Sequence, residues 1–558
     1  MLVEVWCDKF ISNGKVRKPI RFHAGLNAVL GDDNGSNSIG KSTFLMILDF
    51  VFGGTDYVKK CVDVQENVKE HTICFAFDFD GQNYYFSRNT VDYNKVVQCD
   101  SEYQALPDGE PLQKYGEFLC EKYGLSAEGI TWRGAIARFI RVYKRDTLDE
   151  ERPLRSSKDE TAADAIKGYM RLFDRYSSVE AQINQAKKVE DEKEAFRKSI
   201  QQYHHVRAAK NEKEKVANET RIAELERQEQ ELAVNNNKGL LDLDSMTARR
   251  LSDLTESLIN YRRQRAQIQT QLNAVRRDMT GQKRSFKKTF ADLERFFPNE
   301  NFYTLEEIER FHQKLSKILE EEYAETEKNL ATTYALLNNE IVRIQEQITE
   351  IKNVPNVSQA ILKEFARITT ELNNLKQANE NYDELERLKK IATDYAETRD
   401  AVIADELLAI ESTVNQQMRE ISLTILSDAT HLPPVLRLEK LNKYTFYTPN
   451  DGGTGAQYRG LITFDLANMG VAPVPFVVHD SVLLKNIERP VFSAIIRVYY
   501  DQKQKGKQVF MAYDTLDAYD KETRELVEEN AVLQLSPGGN ELFGWAWNKE
   551  EQHEAKQE

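Results

Sequence analysis

Residues 31–43 read GDDNGSNSIGKST, and Gly35 to Ser42 fit the spacing G-x-x-x-x-G-K-[ST]. That spacing serves phosphate chemistry. The backbone N–H groups of such a loop converge on a phosphate, helped by the positive end of the following helix. Gly35 and Gly40 permit close backbone approach, Lys41 reaches the β- and γ-phosphates, and the Ser42 hydroxyl is the expected Mg²⁺ ligand. Asn34, Asn37, Ser38 and Thr43 complete the loop around the nucleotide. An ordinary glycine-rich turn is the competing reading. The flanks decide against it: LNAVL (26–30) reads as a strand before the loop, and STFLMILDFVF reads as an apolar helix after it.

Hydrolysing a bound nucleotide also takes carboxylates, which hold Mg²⁺ and activate water. In FVVHDS a short apolar strand, Phe476 to Val478, runs into His479, Asp480 and Ser481. Asp480 is therefore the expected catalytic and metal-side carboxylate; its competing role is to cap the next helix. Gly453, Thr454 and Gly455 precede a helical pattern and form a second candidate anion site. Further on, Val509 to Met511 read as another buried strand, ending at Tyr513, whose polar end is expected to contact the γ-phosphate. The stretch WRGAIARFIRVYKR (132–145) holds Arg133, Arg138, Arg141, Lys144 and Arg145 with no acid. Read as a helix, it puts Arg138, Arg141 and Arg145 on one face, either for contact with DNA phosphate or nucleotide or as a solvated or salt-bridged face. Trp132 and Tyr143 read as core residues.

These pieces lie in two globular stretches with a different texture between them. Residues from about 175 to 425 are nearly free of Gly and Pro and rich in Glu, Lys, Arg, Gln, Ala and Leu. There Ile361, Phe365, Ile368, Leu372, Leu375, Asn379 and Tyr382 recur at alternating steps of 4 and 3, a coiled-coil seam with one polar position. Leu385, Leu388, Ala392 and Tyr395 continue it after a repeated step of 3, a local overwinding. Breaks near 233–245, 296–304 and 352–358 are nearly symmetric about the central one. The symmetry predicts a chain that goes out, turns near Pro298 and returns, with the outer breaks side by side as an elbow. The expected divisions are 1–174, an N-terminal lobe with the phosphate loop; 175–297, an outgoing arm; 298–304, an apex turn; 305–428, a returning arm; and 429–558, a C-terminal lobe. An unbroken arm is at most about 180 Å long.

Bulk properties narrow the classes further. The 558-residue chain is 30% charged, and no apolar run is long enough to span a membrane. The N-terminus lacks a basic region followed by an apolar run, so a cytoplasmic protein is expected. Five cysteines without a C-x-x-C pair argue against a disulfide framework or a zinc site. A net charge of −14 does not favour nucleic acid, although local basic patches decide that question.

In this order the pieces resemble the SMC-like branch of the ABC ATPases. The resemblance rests on FHAGLNAVLGDDNGSNSIGKST, DGGTGAQYRG, FVVHDS and VFMAYDT. It implies an α/β fold: a split ABC-type ATPase head, of N- and C-terminal lobes, joined by a long antiparallel coiled coil. It further implies ATP and Mg²⁺ as cofactors and a homodimer whose heads sandwich ATP, the phosphate loop of one copy facing Gly453–Gly455 of the other. The departures matter. Gly453-Thr454-Gly455-Ala456 stands where L-S-G-G-[QE] is usual, Tyr513 stands at the switch histidine, and no Gln occurs at 139–145. FVVHDS aligns in two ways on the usual Asp-Glu pair: Asp480 replaces the Glu, or Asp480 is the metal-side Asp and Ser481 replaces the Glu. Either way one carboxylate is missing and slow hydrolysis is expected. The set is most similar to the SMC-like subunit of Lamassu-type three-component antiphage systems. That likeness implies a sensor of broken or foreign DNA that controls an effector nuclease, with a small accessory subunit and no membrane. The alternatives are a RecN-type repair ATPase and a nucleotide-binding coiled-coil scaffold with little turnover.

Overall fold

The computed structural model describes residues 1–32, 38–106, 109–202, 208–234, 246–247, 249–273, 275–276, 302–352, 359–426, 431–514, 516 and 519–547. In chain order β1 (Leu2–Trp6), β2 (Ile11–Ser12), β3 (Lys15–Val16), β4 (Ile20–Arg21) and β5 (Gly25–Leu30) lead to α1 (Lys41–Val51), α2 (Asp56–Lys60) and α3 (Val62–Val68). Next come β6 (Thr72–Phe79), β7 (Gln82–Asn89), β8 (Lys95–Cys99), β9 (Glu110–Pro111), α4 (Leu112–Lys122), α5 (Trp132–Ile136), β10 (Ile140–Arg141) and α6 (Ala162–Leu172). The helices α7 (Tyr176–Gln202), α8 (Glu212–Val234), α9 (249–273), α10 (Phe302–Lys352) and α11 (Gln359–Ile425) follow. The chain then runs through β11 (Val435–Lys440), β12 (Lys443–Tyr447), α12 (Thr454–Val471), β13 (Phe476–His479) and α13 (Ser481–Leu484). It finishes with α14 (Arg489–Asp501), β14 (Gln508–Tyr513), α15 (Lys521–Glu529) and β15 (Ala531–Gln534).

Two compact units result: Met1–Val189 with Ala392–Glu558, and Glu190–Ile391. The first unit holds two large sheets. One is antiparallel, in the order β4-β1-β6-β7-β8-β9. The other is parallel, in the order β10-β13-β14-β5-β15. The parallel sheet therefore takes strands from both ends of the sequence, and β5 lies between β14 and β15. A parallel sheet is covered on both faces, so its strands read as continuous apolar runs. GLNAVL and QVFMAY are accordingly buried at every position. Aromatic rings join the layers, with Phe52 of the α1 terminus stacked on Phe476 at 3.9 Å and Phe22 edge-on to Phe510 at 5.3 Å. In the antiparallel sheet Phe75, Phe77 and Phe79 are buried as expected, and Asp80 and Gly81, both at positive φ, close the β6–β7 hairpin.

In the second unit the expected seam is buried in part, with Leu375, Tyr382 and Leu385 half-buried. Phe365, Ile368, Leu372 and Leu388 are all in the core, and Ile368 and Leu372 pack on Leu225. Asn379 accepts a hydrogen bond from Asn218 Nδ2 at 2.8 Å and donates one to the Lys215 carbonyl at 3.2 Å. Further pairs are Lys215 with Asp383, Arg221 with Glu371, Arg265 with Asn338 and Arg276 with Glu327. Partner numbers fall as residue numbers rise. Of the expected apex turn, 298–304, residues 298–301 lie outside the described residues and 302–304 already belong to α10. Of the expected outer breaks, 235–245 and 353–358 lie outside the described residues, while 233–234 and 352 are helical. An additional interruption, which the composition does not announce, separates α7 from α8. No helix among the described residues is long and apolar enough to cross a membrane.

Candidate nucleotide site

β5 ends at Leu30 in the middle of the parallel sheet, and the chain re-enters helix at Lys41. Asn34, Gly35 and Asn37 lie outside the described residues. Ser38 and Gly40 have φ of 61° and 102°, so the loop's exit uses the left-handed region, where glycine carries no Cβ penalty. α1 has no side-chain cap and no acid in its first turn, which leaves the positive helix end without a local counter-charge. Lys41 is 7% exposed, and its Nζ lies 2.8 Å from Asp514 Oδ1. The Ser42 hydroxyl donates to Asp480 Oδ1 at 2.9 Å, across 438 residues of sequence. Both side chains that the phosphate motif offers thus meet a carboxylate from the far end of the chain.

Asp480 follows β13 and is fully buried. Its Oδ1 also accepts from the Ser481 amide at 2.8 Å, and its Oδ2 from the Tyr143 amide at 2.9 Å. It caps α13 and faces the phosphate loop at once, so the two readings of this residue are not exclusive. His479 turns the other way, as neighbouring residues at a strand end do. Its Nδ1 lies 2.5 Å from the Tyr499 hydroxyl and its Nε2 3.0 Å from Asp465 Oδ2. Arg141 closes this buried network by donating to both Asp465 oxygens, at 2.9 and 2.7 Å. Burial pushes the Asp465 carboxyl upward, but the Arg141 guanidinium beside it outweighs that and holds it below the usual range.

The expectation for Tyr513 needs correction. Its hydroxyl bonds to the Tyr519 hydroxyl and its ring lies 4.7 Å from Phe492, away from the phosphate loop. The next residue, Asp514, is the one that reaches Lys41, and it also pairs with Lys485. Burial raises the Asp514 carboxyl, and the two lysines outweigh it, for a net depression. Neither Asp514 nor Lys485 stands out in the sequence, although alternation along β14 predicts that the residue after Tyr513 faces the opposite way.

The arginine-rich stretch needs a larger correction. It is not one helix: α5 gives way to a 3₁₀ turn at Ala137–Phe139 and then to β10. Arg138 and Arg141 are fully buried and Arg145 nearly so. Arg138 donates to the Leu154 and Ala165 carbonyls, and Arg145 and Arg133 pair with Asp49. Lys144 pairs with Asp63 at 3.0 Å. A buried guanidinium already matched to a carboxylate or to carbonyls cannot reach DNA phosphate, so Arg138, Arg141 and Arg145 do not form a DNA-contacting face. Trp132 is core, as expected, whereas Tyr143 is 58% exposed and is not.

A cavity of about 670 Å³ gathers Ser38, Gly40, Lys41, Ser42, Thr43, Tyr143, Ser481, Lys485, Asp514, Trp545 and Trp547 on its walls. That volume lies in the range of small-molecule sites. Gly453, Thr454 and Gly455 do not line it. They form the exposed start of α12, where a Cβ on Gly455 would stand 2.4 Å from the Asn486 carbonyl. Among the described residues no group of three or more His, Cys, Asp or Glu is placed to hold a metal ion.

Residues 418–547 match a family described as an uncharacterised protein conserved in bacteria (DUF2326). No curated protein matches the chain. Among solved structures it is similar to the Smc head domain with a coiled coil and joint from Pyrococcus yayanosii, at 13% identity and a TM-score of 0.42, covering 97% of this chain and 95% of that one. It is also similar to the Smc head domain with an extended coiled coil, bound to the C-terminal domain of ScpA, from Pyrococcus furiosus, at 11% identity and a TM-score of 0.33, covering 100% and 98%.

Proposed function

We propose that the chain is an SMC-like ATPase whose head binds MgATP and dimerises around it. The single observation that carries the reading is the Ser42–Asp480 contact at 2.9 Å. A hydroxyl on the first turn after a phosphate loop, facing a carboxylate at the end of another strand of the same parallel sheet, is the donor pair that holds Mg²⁺ against a nucleotide. Mg²⁺ takes few protein ligands and completes its shell with water and phosphate oxygens, which suits one hydroxyl and one carboxylate. Lys41 supplies the positive charge for the β- and γ-phosphates. The mixed parallel sheet and the falling partner numbers in the second unit support a split head joined by an antiparallel coiled coil. The exposed Gly453–Gly455 at the start of α12 suits a surface presented to a second copy, whose ATP it would close.

In this reading Asp480 is the metal-side carboxylate, and Ser481, beside it on the cavity wall, stands where a water-activating Glu is usual. His479 is committed to Asp465 and Tyr499 and takes no part. Turnover is therefore slow, which keeps a second reading in play: a nucleotide-binding scaffold in which binding alone is the signal. The remaining steps rest on the motif resemblance. They are the sensing of DNA ends or foreign DNA and the control of an effector nuclease with a small accessory subunit, in the cytoplasm.

The experiment compares MgATP binding and turnover in the wild type, Lys41→Ala and Ser481→Glu, with and without linear DNA. Lys41→Ala is expected to weaken binding at least 100-fold, and Ser481→Glu to raise turnover roughly tenfold, the low end for a positioned general base. A wild type that binds no MgATP refutes the reading. Tight binding with no turnover in either the wild type or Ser481→Glu selects the scaffold. Turnover and head association that ignore linear DNA remove the DNA step.

A further inference from the structure

After β15 the chain crosses the outside of the phosphate loop as a strap. The Leu542 amide donates to the Ile39 carbonyl at 3.0 Å, and the Ile11 amide donates to the Leu542 carbonyl at 3.2 Å. Arg17 Nη2 donates to the Asn540 carbonyl and its Oδ1, each at 2.8 Å, and the Asn13 amide to the Gly539 carbonyl at 2.7 Å. A Cβ on Gly40 would lie 2.5 Å from Leu542 Cβ, so the loop's second glycine seats the strap as well as the phosphates. Phe543 is buried against Phe10 and His71, and its ring lies 6.0 Å from Trp547, which in turn lies 5.3 Å from Trp545. Both tryptophans are half-buried and line the same cavity as Lys41, Ser42 and Thr43.

Two indole rings stand on the wall of a cavity that otherwise carries lysines, hydroxyls, carboxylates and the exposed Tyr143, and they divide that cavity chemically. The polar walls suit phosphates and Mg²⁺. The tryptophans have no phosphate to meet, and a planar heteroaromatic ring is the complementary partner for an indole face. We propose that the C-terminal strap is the base-recognition element of the site: Trp545 and Trp547, whose rings stand edge-to-face at 72°, offer the nucleobase of a nucleoside triphosphate one indole face to stack on and one indole edge beside it. The strap is pinned to the phosphate loop through Ile39 and Gly40, so base and phosphate recognition form one assembly from opposite ends of the sequence. This inference rests on the nucleotide reading above.

The test compares MgATP with Mg-tripolyphosphate, which carries the same charge pattern without a base. The full chain is titrated with each, following affinity and tryptophan emission. The other tryptophans are Trp6, under Tyr103, and the buried Trp132, neither on the cavity wall. The wild type is expected to prefer MgATP by roughly 5- to 150-fold, the range for base–aromatic stacking, and MgATP alone is expected to quench emission. Trp545→Ala/Trp547→Ala should lose the preference while keeping tripolyphosphate binding. Trp545→Phe/Trp547→Phe should keep most of the preference and lose the quench. Equal affinity for the two ligands in the wild type, or a preference that survives the alanine pair, overturns the platform and leaves the phosphate site standing. If neither ligand binds, the nucleotide reading falls and the platform with it. If the alanine pair binds neither ligand, the wild-type preference and its quench, lost in the phenylalanine pair, decide.

Discussion

Asp514 pairs with the lysine of the phosphate motif, and that contact sets a sign that can be measured. Its Oδ1 lies 2.8 Å from Lys41 Nζ, and Lys485 pairs with its other oxygen. A phosphate oxygen that takes Lys41 as its donor must come within about 5 Å of this carboxylate. Two like charges at that distance repel by about 3 kcal/mol at an effective dielectric near 20. Mg²⁺ and salt screen part of this, leaving about 1–2 kcal/mol, or roughly 5- to 30-fold in affinity. Asp514→Asn keeps the shape and removes the charge. It should therefore bind MgATP roughly 5- to 30-fold more tightly than the wild type in a calorimetric titration. The nucleotide-free protein should melt at a lower temperature, because the buried Lys41 and the exposed Lys485 lose their shared counter-charge. Affinity and apo stability thus move in opposite directions. Weaker or unchanged MgATP binding in Asp514→Asn would refute the competition and make Asp514 a ligand of the nucleotide complex instead.

Two further predictions concern the support beneath the site. Arg141→Met leaves Asp465 buried with only His479 for company, and breaking a buried pair in this way costs about 3–5 kcal/mol. The double variant Arg141→Met/Asp465→Leu should recover most of that loss in urea denaturation; strict additivity of the single variants would show that the pair is not coupled. Asp49, Asp465 and Asp514 all sit below the ordinary value of 3.8, each because cationic partners outweigh burial. A depressed folded-state carboxyl stabilises fully above its unfolded value and loses that contribution as pH falls through the folded one. Melting temperature should therefore hold steady down to about pH 4 and drop steeply below it. A flat profile to pH 2 would show that these carboxylates are not differentially bound in the folded state.

The elements that flank the phosphate motif were legible, because the motif carries its own context: a strand before and a helix after both appear with bounds close to those expected. The seam from Phe365 to Leu388 was legible because heptad spacing is a local property. What resisted reading was set by distant partners. The arginines of 132–145 looked available for phosphate because the stretch itself contains no acid. Their acids are Asp49 and Asp465, the latter 324 residues from Arg141. Asp49 was nonetheless a signal, since a carboxylate inside the apolar run FLMILDFVF must find a buried cation. At the end of β14 the register was misjudged by one residue: Tyr513 packs on Phe492 and Tyr519 while Asp514 meets Lys41. At the end of β13 the expected residue, Asp480, is the one that meets Ser42. FGWAWN carried no recognisable motif, because what places Trp545 and Trp547 is the hydrogen bonding of a strap to Ile39 and Ile11.

The paired asparagines of the second unit act on sliding rather than on holding. Asn379 sits in an otherwise apolar seam, 8% exposed, with both its amide oxygen and its amide nitrogen occupied by residues of α8. Sliding one helix along the other by a turn would leave apolar contacts nearly as good as before, because Leu and Ile are interchangeable along a seam. It would also part Asn379 from Asn218 and strand two amides among leucines, at about 1–3 kcal/mol for each group left unsatisfied. The pair is thus a detent: the helices can bend together at little cost, but they rest in one register, and a signal that travelled by sliding would have to lift them out of it.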